Sequence, residues 1–221
     1  MAATENETKF KFVGGHPTVD FVNTVGGWVS NPAKTSTRDY GDLSYGEKLT
    51  NYFELVTWIR QAGLISEKDG KQLSRAAETH PRIADAVLKR SYKLRNALYR
   101  LFKATIEKWR SEETDLACLN EELQIARKHQ SLVSSGNKIN WDWDNSNEAL
   151  DRVLWPLALS GAELLTSGDL SRLRQCGGQR CGWMFLDTSR NRSRHWCKMS
   201  DCGNLEKVRR FRRRLTKASA R

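Results

Sequence analysis

Four of the five cysteines, Cys176, Cys181, Cys197 and Cys202, fall within one short stretch. They form two C-x4-C pairs separated by fifteen residues. Two tight pairs joined by a longer arm suit a closed four-coordinate metal site, since each loop can set two thiolates about 4 Å apart and the arm can bring the pairs together. Four thiolates match a tetrahedral, borderline-soft ion, so one structural Zn²⁺ is the expected cofactor; an iron–sulfur cluster is the alternative for the same ligands. Two disulfides are a third reading, and they would need an oxidising compartment. Residues 2–8, AATENET, contain neither the basic nor the apolar part of a secretory leader, so reduced thiols and a cytoplasmic location are expected. Gly177, Gly178, Gly182 and Gly203 flank the cysteines, where backbone must turn tightly around a metal. His195 is expected to be solvated or to meet phosphate rather than to replace a thiolate. Trp183, Phe185 and Trp196 are the expected small core that such a module shares with its metal.

The same stretch carries the chain's excess positive charge. Residues 171–221 hold 15 Lys and Arg against 3 Asp and Glu, whereas the whole chain has a formal charge of +11, so the residues before 171 are close to neutral. Arg190, Arg192 and Arg194 alternate with other residues, and an extended backbone would put all three on one face. After Cys202, Asn204 is expected to cap a helix running to about Lys217. Leu205, Val208, Phe211 and Leu215 give it an apolar stripe, while Lys207, Arg209, Arg210, Arg212, Arg213 and Arg214 fill the remainder. A basic cluster beside a metal knuckle is the footprint of a nucleic-acid surface, and arginine can fork onto phosphate or onto a guanine edge.

The run CGWMFLDTSRNRSRHWCKMSDCGN, followed by a basic helix, resembles the C-terminal zinc finger of the bacterial CGNR family. Leu205 stands where that family has its name-giving arginine. Near the other end, HPTVDFVNTV resembles the start of the ABATE domain that precedes this finger in the family. The resemblance implies stress-induced transcription regulation: a zinc-dependent, double-stranded-DNA-binding finger at 169–221, behind an ABATE-like domain at 9–168 that senses a small-molecule effector or makes a homodimer. Residues 1–8 are expected to be a disordered tail. The alternative for the same basic cysteine module is an RNA-binding or ribosome-associated zinc protein.

The elements that must position these groups are mostly helices. Apolar periodicity marks helices at about 51–62, 66–78, 81–110, 115–129 and 147–166, the last with a kink at Pro156. Ser66 with Asp69 forms a capping-box pattern. Ile83, Val87, Leu94, Leu98, Leu101 and Ile106 are the expected buried stripe of the longest helix, and its basic residues, Lys89 to Lys103, the expected solvated face. Ile139, Trp141 and Trp143 alternate with polar residues after a Ser-Gly-Asn turn, predicting a β-hairpin that pairs with a strand at 9–13. Residues 26–46, including Arg38 and Asp39, read as a long loop. The fold class is therefore mainly α with a small hairpin, ending in a four-cysteine module and basic helix. Asp20, Asn23 and Thr24 sit inside an apolar run, and either tie down local backbone or contact a ligand. Cys118 is expected to be an inert thiol. No membrane span is expected. No P-loop, GxGxxG, HExxH or GxSxG occurs, and no nucleophile–base pair is visible, so an enzyme is not expected.

Overall fold

A computed structural model of the chain describes residues 10–28, 44–144, 149–179 and 181–219. The chain packs as two units: the part up to Lys48 together with Asp169–Arg221, and Leu49–Gly168. The second is built mainly from helices with one hairpin, whereas the described residues of the first combine two α-helices with two short antiparallel ladders.

The first unit begins with α1 (Pro17–Val22), where Pro17 opens the helix and the His16 ring accepts from the Thr18 N–H. A short strand β1 (Gly27–Trp28) pairs with β2 (Ser44–Tyr45). Most of the expected 26–46 loop, with Arg38 and Asp39, lies outside the described residues. The expected strand at 9–13 is not present over residues 10–13. Phe10 is instead a buried core side chain, and the Val13 and Gly14 N–H groups bond to a side chain rather than to a strand.

The second unit contains α2 (Tyr52–Gln61), α3 (Glu67–Thr79), α4 (Pro81–Glu107), α5 (Glu113–Lys128), the hairpin β3 (Gln130–Ser135) and β4 (Lys138–Trp143), and α6 (Trp155–Thr166). The Asn51 side chain caps α2, and Ser66 with Asp69 closes the capping box of α3. Leu55, Ile59, Leu94, Leu98, Phe102, Trp155 and Leu157 are fully buried, each stabilising the unit by roughly 2 kcal/mol of apolar transfer. Ile83 departs from its expected place and is 53 % exposed, because it sits in the first turn of α4. The basic run of α4 is not a solvated face throughout. Arg90 forks onto Glu122 and reaches Asp151, Arg100 pairs with Asp115 at 2.6 Å, and Arg95 and Lys103 are buried. Pro156 does not kink a long helix. A 3₁₀ turn at Leu150–Val153 comes first, and Pro156 lies in the opening turn of α6, where its missing N–H costs nothing. The hairpin pairs only with itself among the described residues. Its base is fixed by Trp143, tilted 5.5 Å from Trp155, and by His129, stacked on Trp155 and bonded to Asp144.

The chain then returns to the first unit with β5 (Leu173–Gln175) and β6 (Met184–Leu186), an antiparallel pair. A π-helical turn at Met199–Gly203 runs directly into α7 (Asn204–Ser219). Asn204 therefore does not cap the helix. It already has helical angles, and its side-chain amide donates to the Ser200 carbonyl.

Candidate metal centre and basic helix

The β5–β6 turn presents the first cysteine pair and the approach to α7 presents the second. All four Sγ atoms lie within 4.8 Å of one another. Cys197 Sγ is 3.7 Å from both Cys181 Sγ and Cys202 Sγ. Thiolates about 2.3 Å from a tetrahedral Zn²⁺ are separated by about 3.8 Å, whereas disulfide sulfurs are about 2.05 Å apart. The four thiols are unbridged, and their spacing fits one ion better than the wider core of an iron–sulfur cluster. Cys176 and Cys197 are buried, and Cys181 and Cys202 half-buried. The Cys197 N–H points at Cys176 Sγ from 3.3 Å, a donor that stabilises a thiolate.

Local backbone explains the convergence. Cys176 N–H donates to the Trp183 carbonyl and Cys181 N–H to that of Gly178, so the chain doubles back between the pair. A side chain at Gly178 would come 3.0 Å from Cys202 Sγ. Gly182 has φ +64°, and a Cβ there would fall 2.3 Å from the Trp28 carbonyl. Hydrogen bonds from Cys181 and Cys197 hold the Cys176 thiol well below its usual range, while hydrogen bonding to Cys176 pushes Cys181 and Cys197 up. Burial raises Cys202. One sulfur thus ionises at the expense of the others, and a dication is what allows all four to carry charge together.

The N-terminal motif residues complete this centre from behind. Asn23 lies between α1 and β6, its amide donating to the Met184 carbonyl at 2.8 Å and accepting from the Met184 N–H at 2.9 Å. Thr24 Oγ1 bonds to the Phe21 carbonyl. Asp20 Oδ1 accepts from Val13 and Gly14 N–H groups at 2.8 and 2.7 Å. All three are buried, and these contacts hold backbone within the unit. The core is shared: Val19, Phe21 and Val22 are buried along with Trp183, Met184, Phe185 and Leu186. Trp183 Nε1 donates to the Val25 carbonyl, Trp28 N–H to that of Cys181, and Lys48 Nζ stands 4.5 Å over the Trp183 ring.

Asp20 supplies a pH test. Burial pushes its carboxyl up to about 6, against the opposing pull of the Gly14 and Val13 N–H groups and the Arg194 charge. The folded value exceeds the unfolded one, so the stabilising contribution is complete below about pH 4 and is lost as pH rises through 6. Asp20→Asn keeps an acceptor and has no charge to bury. The variant is expected to gain about 3 kcal/mol relative to the parent between pH 4 and 8. Parallel denaturant melts across that range check this, because the thiols cancel in the difference; a constant gap would rule out the ionisation of Asp20 as its source.

The arginines divide into two groups. The expected extended arm is instead a turn over residues 189–192, with Arg192 at φ +49°. Asp187, fully enclosed, organises it by accepting from Ser189 N–H, Ser189 Oγ and Arg194 N–H. The hydrogen bonds from Ser189 hold its carboxyl below the usual range. Arg194 consequently turns inward. Its guanidinium stacks 4.1 Å from Phe185 and donates to the carbonyls of Trp196, Val13 and Cys197, which makes it a clamp on the metal loop. Arg190 and Arg192 are exposed. On α7, Glu206 pairs with Arg213 at 2.6 Å and lies 3.9 Å from Arg209. Lys207, Arg210, Arg212 and Arg214 are exposed, and so is the apolar stripe, including Leu205 at 58 %. An open groove of about 790 Å³ borders the centre, lined by Phe12, Val13, His195, Trp196, Lys198 and Met199.

A family model described as CGNR zinc finger matches residues 172–215. A second, ABATE, described as "Putative stress-induced transcription regulator", matches residues 15–168. The chain belongs to the ABATE family. No curated protein matches it. In this ABATE protein the family boundary and the packing boundary differ. The stretch matched by ABATE starts at residue 15, yet the part up to Lys48 packs with the finger. Asp187, Lys48 and Trp28 are parts of the centre beyond the residues expected from the sequence. The Asp-Thr-Ser order at 187–189 was a readable signal for an Asx-type turn; Lys48 and Trp28 had none, being distant in sequence. Cys118 is half-buried, and burial with nearby Glu122 raises its thiol, an environment that disfavours a reactive thiolate. Among the described residues, no helix is long and apolar enough to cross a membrane.

Proposed function

We infer that this ABATE protein regulates transcription by binding double-stranded DNA, with α7 as the principal contact element. The observation that carries this reading is that Arg210, Arg212 and Arg214 stand exposed on a helix anchored directly at Cys202 through the π turn. Arg190, Arg192 and Lys207 add exposed charge. By contrast, the basic residues Arg90, Arg100 and Lys103 of α4 are occupied by carboxylates. Zn²⁺ would act structurally, fixing the start of the helix and the Arg190–Arg192 turn, with no catalytic turnover. The helical Leu49–Gly168 unit would respond to an effector. Four reduced thiolates fit a cytoplasmic setting.

Salt-dependent binding to short duplexes tests this directly. Arg210→Ala, Arg212→Ala and Arg214→Ala combined are expected to weaken binding at least about tenfold and to reduce the salt slope by about 2–3, since each lost phosphate contact removes nearly one. Selection of genomic fragments by the zinc-loaded protein should return a shared motif. Preference for RNA over duplex DNA in competition would transfer the reading to an RNA-binding zinc protein.

A further inference from the structure

The β3–β4 hairpin is exposed along nearly its whole length, one of its faces is apolar, and among the described residues neither of its outer edges pairs with another strand. Its register sets Leu132 opposite Trp141 and Ser134 opposite Ile139, and strand alternation gathers Leu132, Ile139 and Trp141 on one face. They are 60 %, 73 % and 65 % exposed. Trp143, on the same face, is engaged by Trp155 at the hairpin base, so the bare part lies beyond it. A two-stranded ribbon is marginal in water, and three or more strands with an apolar face are the stable form.

The turn fixes which backbone groups point outward. Gly136 and Asn137 make a two-residue turn with Gly136 at φ 60°. Such a turn closes on a pair that exchanges both backbone hydrogen bonds, here Ser135 and Lys138. Alternation then directs the N–H and C=O groups of Ile139 and Trp141 along the outer edge of β4. Among the described residues no strand pairs with that edge.

We propose that this edge is a homodimer interface, in which β4 of a second copy adds antiparallel to β4 across a two-fold axis at Asn140. The segment Lys138-Ile139-Asn140-Trp141-Asp142 is self-complementary about its centre. In this register Lys138 meets the partner's Asp142, Ile139 meets the partner's Trp141 through the outward hydrogen-bonding groups, and Asn140 meets the partner's Asn140. Symmetry repeats the ion pair and the apolar pair. A one-residue slip would set outward backbone groups against inward ones. A two-residue slip toward the turn loses the ion pair. The opposite slip places Lys138 against the partner's Asp144, whose position is held at the hairpin base by His129 at 2.8 Å. The stretch before residue 171, which contains this edge, is close to neutral, so its own charge does not oppose pairing. The other exposed apolar stripe, on α7, carries too much like charge to meet its own copy. The result would be a four-stranded sheet joining two chains. This inference is independent of DNA binding; combined with it, two-fold-symmetric target sites are expected.

Sedimentation velocity of the zinc-loaded full chain without nucleic acid tests the proposal. A monomer–dimer equilibrium is expected. Lys138→Glu and Asp142→Lys each place like charges opposite one another twice, and each should raise the dimer Kd at least about tenfold. Mixing the two variants restores opposite charges at both positions of a heterodimer and should restore association. Trp141→Lys should be monomeric with an unchanged far-ultraviolet circular dichroism spectrum, because the side chain is exposed. A parent chain that stays monomeric at roughly 100 µM overturns the proposal, even if Trp141 then proves to engage vesicles or another protein. A dimer indifferent to these variants, or a mixture that fails to associate, overturns it equally.

Discussion

Cys176→Ser or Cys202→Ser is expected to abolish stable zinc retention and, with it, the fold of the unit that contains the finger. Structural zinc in small modules contributes on the order of 10 kcal/mol at neutral pH, more than the whole stability of many domains. Serine cannot supply a thiolate. The remaining three sulfurs, within 4.8 Å of one another, would keep their mutual repulsion with a weaker hold on the cation. Cys176 should be especially sensitive, because it also accepts from the Cys197 N–H. The parent should carry one zinc per chain by elemental analysis and the variants close to none after dialysis. Trp183 should show the loss as a fluorescence shift, since it becomes exposed. The Leu49–Gly168 unit has its own core of Leu94, Leu98, Phe102 and Trp155, so much of the helical signal should survive. A variant that retains stoichiometric zinc and the parent melting curve would refute a four-sulfur site.

A chain of residues 169–221 alone is expected not to form the metal centre at full strength, although it contains every zinc ligand. The reason is the shared core. Removing the N-terminal segment takes Asn23 from the Met184 N–H and carbonyl, Val25 from Trp183 Nε1, and Trp28 from the Cys181 carbonyl. It also uncovers Trp183, Met184, Phe185 and Leu186, all buried in the full chain. Each of the four lost hydrogen bonds contributes about 0.5–1.5 kcal/mol, so together they imply at least about thirtyfold weaker zinc binding. Chelator competition on the short and full chains measures this. Asn23→Ala in the full chain should move in the same direction by a smaller amount. Equal zinc affinity in the short and full chains would show that the finger folds by itself and that the N-terminal packing is incidental.

The ligand set was readable in the sequence because it depends on covalent spacing. Two C-x4-C pairs with flanking glycines can converge only through tight turns, and Gly178 and Gly182 stand where a side chain would collide. The basic helix was legible for a similar reason: its apolar stripe and charge recur at helical period. Capping of α3 by Ser66 and Asp69 was also local, and the expected contacts form. The hairpin could be placed from its turn residues and two-residue alternation.

What sequence alone did not determine were relations between distant residues. The alternation at residues 190–194 did not reveal that Arg194 faces inward. That follows from Asp187 folding the arm into a turn and from Phe185 and three carbonyls receiving the guanidinium. The basic run of α4 resembled a solvated face until α5 supplied Asp115 and Glu122 as partners. Pro156 suggested a kink, but the preceding 3₁₀ turn made it a helix start. Asp20, Asn23 and Thr24 carried two readings in sequence, and only the approach of Met184 across the unit showed what Asn23 holds. The sequence by itself determined the zinc ligands, the mainly helical class and the site of excess charge, since each follows from short-range spacing or composition. Tertiary structure decided which charges remain exposed and which segment completes the metal centre, because burial and pairing depend on residues the fold brings together, from 15 positions apart for Arg100 and Asp115 to 161 for Asn23 and Met184.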